Sequence, residues 1–323
     1  MKCLRNRWLG GSVLYFALAC GNMHCGALQS STARPAFEDA DSRPVCLVLS
    51  VGGPAGLAHL GAIQALQHSE LEVRYVVGNS MGALVGGLYA SEPASEVVER
   101  YLSFASAYLE QTKRSAEGRG VLGFLFGAAL TLATGGAALP ALAAGGGGAV
   151  IGAEGTEKQS LERTVAVYDE AVAGVTIEAL PIRFVTFHHA MTTTGVRLNT
   201  VQRGRLATAV GKSIANPLMF PQFEPTKAGY VDPGTDRVSA TPVQDACSQF
   251  PDSRLLVVNV SGQPSFYQAD IPCPVLEINL DAGEVPPEAM LGQGATFAKV
   301  VDLGARQMQA ALKSRGIGVT SKR

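Results

Sequence analysis

The sequence predicts an α/β domain built on a mainly parallel central sheet, and three observations support this fold class. Val45–Val51 is apolar except for Ser50, which is typical of a strand buried on both faces. A glycine-rich loop follows it, and then Leu57–Gln67 has apolar residues at helical spacing. A second strand-like run begins at Val73. This order of elements forms the right-handed βαβ unit from which parallel sheets are assembled.

The composition is that of a large folded domain. Of the 323 residues, 47% are hydrophobic and 16% are charged, so the chain can bury a sizeable core. The formal net charge of −1 gives no basic excess for binding nucleic acid. The six cysteines include no C-x-x-C pair, so neither a zinc site nor an iron–sulfur site is expected. In an oxidising compartment Cys247 can pair with Cys273, and a bridge involving Cys25 or Cys46 is the alternative.

Residues 1–19 have the pattern of an export signal. Three basic residues precede a short apolar core, Leu9–Leu18, which is too short to cross a membrane. An A-x-A cleavage motif ends at Ala19, and Cys20 follows it directly. Cys20 resembles the acylated first residue of a bacterial lipoprotein, although Ala17 stands where leucine is usual. Plain secretion and an uncleaved anchor are the alternatives.

These features predict an exported protein, either a periplasmic or outer-membrane-associated lipoprotein or a secreted protein. Residues 20–43 are polar and mixed in composition, and we expect them to form a tether. The folded domain is expected over residues 44–313, with an apolar Gly/Ala-rich insertion at residues 120–153. Residues 314–323 are expected to be a frayed polar tail.

The segment most typical of catalysis is Val73–Tyr89. Its apolar run ends in the residues GNSMG, positions 78–82, and a helix rich in small residues follows. A strand, a G-x-S-x-G sequence and a helix form a nucleophile elbow, in which Ser80 occupies a strained turn. Gly78 and Gly82 lack a Cβ atom, so the strand and the helix can pass closely. An ordinary tight turn is the alternative.

The glycine-rich loop GGPAG, at residues 52–56, admits two interpretations. A dinucleotide site is disfavoured, because the spacing is not G-x-G-x-x-G and no acidic residue ends the second strand. Alternatively, the N–H groups of the loop face Ser80 and form an oxyanion hole. Pro54 has no N–H group, so the donors must be the other loop residues.

Two segments, SVGGPAGLAHLGAIQAL and VVGNSMGALVGGLYA, resemble the start of a patatin-like phospholipase domain. That family has G-G-G-x-[RK]-G at the oxyanion loop, then G-x-S-x-G, and much later D-G-[GA]. Here the third motif corresponds to DPG at the end of SIANPLMFPQFEPTKAGYVDPG, with Asp232 as the acidic residue. The resemblance spans about residues 45–243. It implies a patatin-like three-layer α/β/α fold with a mainly parallel central sheet.

The resemblance also implies a phospholipase A-like lipid acyl hydrolase with a Ser–Asp dyad and no cofactor. Ser80 would attack a lipid or other carboxylic ester, and Asp232 would take its proton. N–H groups of Gly52, Gly53 and Met81 would hold the oxyanion.

Three positions depart from the family pattern. Val51 replaces the first glycine of the oxyanion loop, Ala55 replaces a basic residue, and Pro233 replaces the glycine after the aspartate. The alternative function is therefore a weakened or inactive lipoprotein of this fold that binds lipid or a partner.

Histidine is the usual base for a catalytic serine, so three histidines are candidates for that role. His59 lies on the first predicted helix, and we expect a structural or surface role for it. His188 and His189 end a predicted strand and point to opposite faces. At most one of them can reach a site at the carboxyl end of that strand.

Val121–Ala153 contains no charged residue. Its length suits a membrane helix, but its many glycines and Pro140 disfavour one. An apolar hairpin on a lipid surface, acting as a lid or a docking element, is one interpretation. In this interpretation the hairpin binds a membrane or micelle surface, which is then a partner of the protein. The other is a Gly/Ala-rich insertion that covers part of the domain or is disordered.

The remaining elements follow from hydrophobic spacing. A charged, polar link is expected at Gln111–Arg119. The expected helices are Glu96–Leu109, Glu157–Tyr168, Leu206–Ile214 and Pro287–Lys313, and the expected strands are Pro181–His188, Val196–Val201, Leu255–Val260 and Val275–Asn279.

Overall fold

The computed structural model describes residue 37 and residues 42–114, 161–220, 222–268 and 270–318. The predicted export signal, Cys20 and the insertion at residues 120–153 lie outside the described residues. The described elements, in chain order, are β1 (Val45–Leu49), α1 (Ala58–Gln67), β2 (Val73–Gly78), α2 (Met81–Ser91), α3 (Val97–Arg114), α4 (Leu161–Ala171), β3 (Arg183–Thr192), β4 (Gly195–Val201), α5 (Leu206–Ser213), α6 (Pro225–Ala228), β5 (Tyr230–Val231), α7 (Val243–Gln249), β6 (Arg254–Asn259), β7 (Val275–Asn279) and α8 (Gly294–Lys313).

The strands form one sheet in the order β4-β3-β2-β1-β6-β7. Strands β1, β2, β3, β6 and β7 run parallel, whereas β4 and β5 pair antiparallel with β3. The prediction of a mainly parallel sheet is therefore confirmed. Leu49 of β1 pairs with Gly78 of β2 and with Val258 of β6, so the carboxyl ends of these strands lie at one edge.

Strand β5 occupies a special position on β3. Its two residues pair with His189 and Ala190, and β4 pairs with these same residues from the other side. Each strand has only two edges, so β5 lies on the edge of β3 that β2 occupies further back. Because β2 is parallel to β3 and β5 is antiparallel, the two chains run toward each other. The residues that follow β2 and β5 must therefore meet.

Helices and loops cover both faces of the sheet. One face packs in the larger core against α1, α2 and α8, with Leu60, Leu88 and Met308 fully buried. The other face packs against α7 and the chain around it, where Val243 and Phe250 contact the strands. This layering is the predicted three-layer α/β/α arrangement.

Several element boundaries differ from the predictions. Helix α3 continues to Arg114, so the first part of the predicted polar link, from Gln111, is helical. The last helix is broken: a 3₁₀ turn covers Pro287–Leu291, and α8 begins only at Gly294. Gly292 adopts a left-handed conformation at φ 69°, which ends the first turn.

Two features at the margins of the domain bear on earlier expectations. Phe37, inside the segment expected to be a tether, is buried in the core, and the guanidinium of Arg254 stacks on its ring at 4.9 Å.

Among the described residues, no helix combines the length and the apolar character needed to span a bilayer.

A disulfide joins Cys247 of α7 to Cys273, just before β7. Of the pairings that the sequence left open, the structure adopts this one. Cys46 of β1 lies in the same apolar layer as a buried free thiol. The bridge therefore ties the helix that covers this face to the edge strand of the sheet.

We expect the Cys247→Ala/Cys273→Ala double variant to lose about 3 kcal/mol in free energy of unfolding, because the bridge closes a loop with a sequence separation of 26. Urea unfolding with and without reductant measures this loss. Cys46→Ala is the matched control, since it removes a buried thiol from the same layer and its curve should respond to reductant as the wild type does. An unchanged wild-type midpoint under reductant would contradict the bridge.

Candidate active site

Ser80 stands between β2 and α2 in a strained backbone conformation, with φ 52° and ψ −122°. In the described residues only one other non-glycine residue, Ala173, has a positive φ. Such strain costs about 1–3 kcal/mol and persists only where the surroundings enforce it. The turn is the predicted nucleophile elbow, and it differs from an ordinary βα turn in this strain.

The close crossing of α2 over the strand ends explains the two glycines of the elbow. A Cβ atom on Gly78 would lie 2.4 Å from the carbonyl oxygen of Gly82. A Cβ atom on Gly82 would lie 2.6 Å from the carbonyl oxygens of both Leu49 and Ser50. Real Cβ atoms do not approach backbone so closely, so any side chain here would push the helix off the sheet.

A short segment at the end of α5 binds both Ser80 and Asp232. The Ser80 N–H donates to Ser213 Oγ at 3.0 Å, and the Ser213 side chain is fully buried. Two residues later, the carbonyl of Ala215 accepts from the N–H of Asp232 at 3.0 Å. Ser80 and Asp232 are thus tied to the same stretch of backbone.

Asp232 follows β5 directly and is 1% exposed. Its Oδ1 accepts the Gly234 N–H at 2.6 Å, and the Ser80 side chain lies close enough to act on the pKa of its carboxyl group. Burial raises the pKa of Asp232 to about 6, although the neighbouring Ser80 hydroxyl and the Gly234 N–H both act in the opposite direction. The structure therefore brings Ser80 and Asp232 together, and it gives the carboxylate a basicity closer to neutral pH than an exposed aspartate has.

Pro233, one of the departures from the family pattern, begins the 3₁₀ turn Pro233–Thr235. Proline is well suited to the first position of such a turn, because its N–H would have no acceptor there. The N–H that Asp232 accepts comes from Gly234 instead. Proline at position 233 thus leaves the hydrogen bond between Asp232 and the Gly234 N–H in place.

Of the residues predicted to bind an oxyanion, Gly53 and Met81 lie beside Ser80. Gly53 and Met81 each begin a helical turn, and the first N–H groups of such turns have no acceptor within the helix. Within the described part of the chain, the N–H groups of Gly52, Gly53 and Met81 donate to no protein acceptor. Gly53 and Met81 line the same pocket as Ser80, whereas Gly52 packs closely against Val260.

Val51, another departure from the pattern, connects the oxyanion loop to the chain beyond Asp232. Its N–H donates to the carbonyl of Ala240 at 2.9 Å. Its side chain also packs over Gly234, where a Cβ atom would lie 3.1 Å from Val51 Cγ1. The valine therefore adds a contact between two parts of the site. Ala55, the third departure, provides no charge.

His59 is fully buried under the oxyanion loop and does not contact Ser80. Its Nε2 donates to the carbonyl oxygen of Ser50 at 3.0 Å. Burial lowers the pKa of His59 to about 4, with the bond to Ser50 opposing this shift, so the ring is neutral near pH 7. Its role is structural, and it is buried rather than on the surface.

His188 and His189 lie on opposite faces of β3, as strand geometry requires. His188 contacts the ring of Tyr230, and burial is the main cause that lowers its pKa to about 4. His189 faces the chain after Asp232, where its Nε2 lies 3.2 Å from Ser239 Oγ. Of the two, His189 is therefore the one that contacts the chain following Asp232.

An apolar pocket of about 100 Å³ opens beside Ser80. Leu84, Tyr101, Phe104, Phe220 and Met290 supply much of its wall. The Tyr101 hydroxyl is already used, because it donates to the carbonyl of Met290 at 2.7 Å. The wall can therefore receive an alkyl chain but offers few polar contacts.

A larger polar cavity of about 480 Å³ lies near Pro44 and Arg254, at the amino-terminal edge of the sheet. Those residues precede or begin strands whose far ends approach Ser80, so this cavity is separate from the site. No cluster of three or more metal-binding side chains occurs among the described residues.

The family model described as patatin-like phospholipase matches residues 47–246. A patatin-like phospholipase domain-containing protein of Caenorhabditis elegans is 49% identical over 53 residues, which is 16% of this chain and 4% of that protein. A lysophospholipase of Emericella nidulans is 48% identical over 59 residues, 18% of this chain and 4% of the relative. The chain thus aligns with only a small part of these relatives.

Among solved structures, VipD from Legionella pneumophila is similar with a TM-score of 0.41 and 13% identity, covering 84% of this chain and 67% of VipD. ExoU from Pseudomonas aeruginosa, in its complex with SpcU, also has a TM-score of 0.41, with 16% identity. That similarity covers 85% of this chain and 52% of the other.

Proposed function

The chain belongs to the patatin-like phospholipase family, and on this basis we propose that it hydrolyses lipid or other carboxylic esters with a Ser80–Asp232 dyad. The observation that carries the proposal is the position of a strained serine beside a buried aspartate of raised pKa. A serine hydroxyl becomes an effective nucleophile only when a base can take its proton. Asp232 is the base that lies beside it.

In the first half of the reaction, Ser80 Oγ attacks the acyl carbonyl carbon and its proton passes to the Asp232 carboxylate. The tetrahedral intermediate then collapses, and the leaving alcohol takes the proton from Asp232. In the second half, Asp232 removes a proton from water and the hydroxide attacks the acyl–enzyme. The second intermediate collapses with release of a fatty acid, and Asp232 returns its proton to Ser80 Oγ. A carboxylate with a pKa of about 6 suits both directions of transfer.

The N–H groups of Gly52, Gly53 and Met81 stabilise the negative oxygen of the tetrahedral intermediates. Donors that are free before substrate binds need not reorganise, which is what makes an oxyanion hole effective. Loss of one such donor typically slows a reaction by about a hundred- to a thousandfold. The positive end of the α2 helix dipole adds to this stabilisation.

The substrate class follows from the pocket and the family. An apolar wall beside the nucleophile favours an acyl chain over a polar group. The Emericella nidulans relative is named a lysophospholipase, which supports a phospholipase A-like reaction. The binding-only alternative is less favoured, because the departures at Val51 and Pro233 leave the Gly234 hydrogen bond to Asp232 in place.

Export and membrane contact also belong to the proposal. The Cys247–Cys273 bridge supports export, since structural disulfides persist mainly in oxidising compartments. We propose a periplasmic, outer-membrane-associated or secreted protein, with Cys20 as the candidate lipid anchor. The apolar segment Val121–Ala153 would bring the site to a membrane or micelle surface.

Labelling with a fluorescent fluorophosphonate tests the nucleophile without knowledge of the substrate. The purified mature protein should be labelled, Ser80→Ala should not be labelled, and Asp232→Asn should react at least about a hundredfold more slowly, as expected for loss of the base. Ser261→Ala, at a partly buried serine outside the pocket, is the matched control and should be labelled like the wild type. Equal labelling of Ser80→Ala and wild type, or none of a folded wild type, would reject the dyad.

The pH dependence of hydrolysis tests Asp232 as the base. Only the carboxylate form accepts a proton. We therefore expect kcat/KM for a p-nitrophenyl ester to be constant above about pH 7 and to decrease as the pH is lowered, with an apparent pKa near 6. Circular dichroism at each pH controls for unfolding. A profile that stays flat down to pH 5 in a folded protein would exclude a base with this pKa.

A further inference from the structure

The loop that follows Asp232, residues 232–240, contacts each part of the candidate site. It begins with Asp232 itself, and near its end the carbonyl of Ser239 accepts from Asn79 Nδ2 at 2.7 Å. Asn79 is the residue before the nucleophile. The next carbonyl, of Ala240, accepts from the Val51 N–H of the oxyanion loop at 2.9 Å. The conformation of this loop therefore sets how the aspartate, the elbow and the oxyanion loop are placed relative to one another.

His189 of β3 lies against this loop and contacts it at two points. Its Nε2 lies 3.2 Å from Ser239 Oγ, and its Nδ1 lies 3.4 Å from Thr235 Oγ1. The imidazole is 6% exposed, and Ser239 is equally buried. The ring thus spans the loop from its first turn to its far end.

The direction of the shorter contact can be worked out from the available protons. Ser239 Oγ donates to Asp236 Oδ2 at 3.1 Å, and a carboxylate can only accept. The single hydroxyl proton of Ser239 is therefore used, so the bond to His189 requires a proton on Nε2. Burial lowers the pKa of His189, with Asp236 opposing the shift, so near neutral pH the ring carries one proton. Thr235 Oγ1 donates its own proton to the carbonyl oxygen of Asp232 at 3.0 Å, so it has none for Nδ1. The single ring proton is therefore assigned to Nε2, which makes the shorter contact, at 3.2 Å against 3.4 Å for Nδ1.

We propose that His189 is a positioning residue for the dyad, acting through the hydrogen bond from its Nε2–H to Ser239. This bond holds the far end of the 232–240 loop, and with it the backbone contacts to Asn79 and Val51. The inference rests on the proposed function for its effect on catalysis, but its effect on the loop is independent of any activity.

Two amide side chains of different length separate the two contacts of His189. The amide nitrogen of His189→Gln reaches the place of Nε2, whereas the shorter His189→Asn reaches only that of Nδ1. We expect His189→Gln to keep kcat for ester hydrolysis within about threefold of wild type. His189→Asn and His189→Leu should lower kcat about tenfold with little change in KM, as for loss of one buried hydrogen bond. Equal losses in the Gln and Leu variants would overturn the Nε2 assignment.

Hydrogen exchange of the backbone amides separates this proposal from the proposed function. Amides in the 232–240 loop, and the Val51 N–H, should exchange about tenfold faster in His189→Asn and His189→Leu than in wild type or His189→Gln. This result would support the role of His189 in holding the loop even if the wild type failed to react with fluorophosphonate. Unchanged exchange in His189→Leu would overturn the proposal.

Ser239→Ala removes the same hydrogen bond from the other side with little change in volume. It keeps the test decisive if His189→Leu does not fold. It also removes the bond from Ser239 to Asp236, so it should raise loop exchange and lower kcat at least as much as His189→Asn does. Adding His189→Asn to Ser239→Ala should cause little further loss. Full additivity of the two changes would show that the residues act separately and would contradict the inference.

Discussion

One edge of β3 determines where the candidate site forms. Strand β2 pairs with its first part and β5 with its last part, and the two run toward each other along it. The elbow after β2 and the aspartate after β5 therefore meet beside the same strand, although they lie far apart in the chain. A parallel strand and an antiparallel strand on a single edge are the constraint, and the contact between Ser80 and Asp232 follows from it.

Placing Ser80 and Asp232 together is energetically unfavourable, and hydrogen bonds from the neighbouring chain stabilise the arrangement. Ser80 is strained and Asp232 is a buried acid, and each is unfavourable by itself. The segment from Ser213 to Ala215 binds the N–H groups of both residues. The same physical conditions serve the proposed chemistry, because burial makes the carboxylate more basic and the strain projects the hydroxyl from the turn.

The sequence predicted the elements with local signals and left open what depends on tertiary contacts. The residues GNSMG between a strand and a helix predicted an elbow, with an ordinary tight turn as the alternative, and the structure places Ser80 in a strained turn there. Asp232 has no local signal, and only the resemblance to a family identified it. The pairing of Cys247 with Cys273 and the contacts of His189 arise between distant segments. Likewise, the break in the last helix depends on the left-handed conformation of Gly292. Hydrophobic periodicity in the sequence does not predict the conformation of a single glycine.

A crystal structure of the mature protein after reaction with an alkyl phosphonate would test the account most directly. The account predicts phosphorus bonded to Ser80 Oγ, its alkyl chain against Leu84 and Phe104, and its free oxygen about 2.7–3.1 Å from the N–H groups of Gly53 and Met81. Asp232 would remain beside Ser80 Oγ. Phosphorus on another residue, or a free oxygen turned away from these N–H groups, would contradict the account.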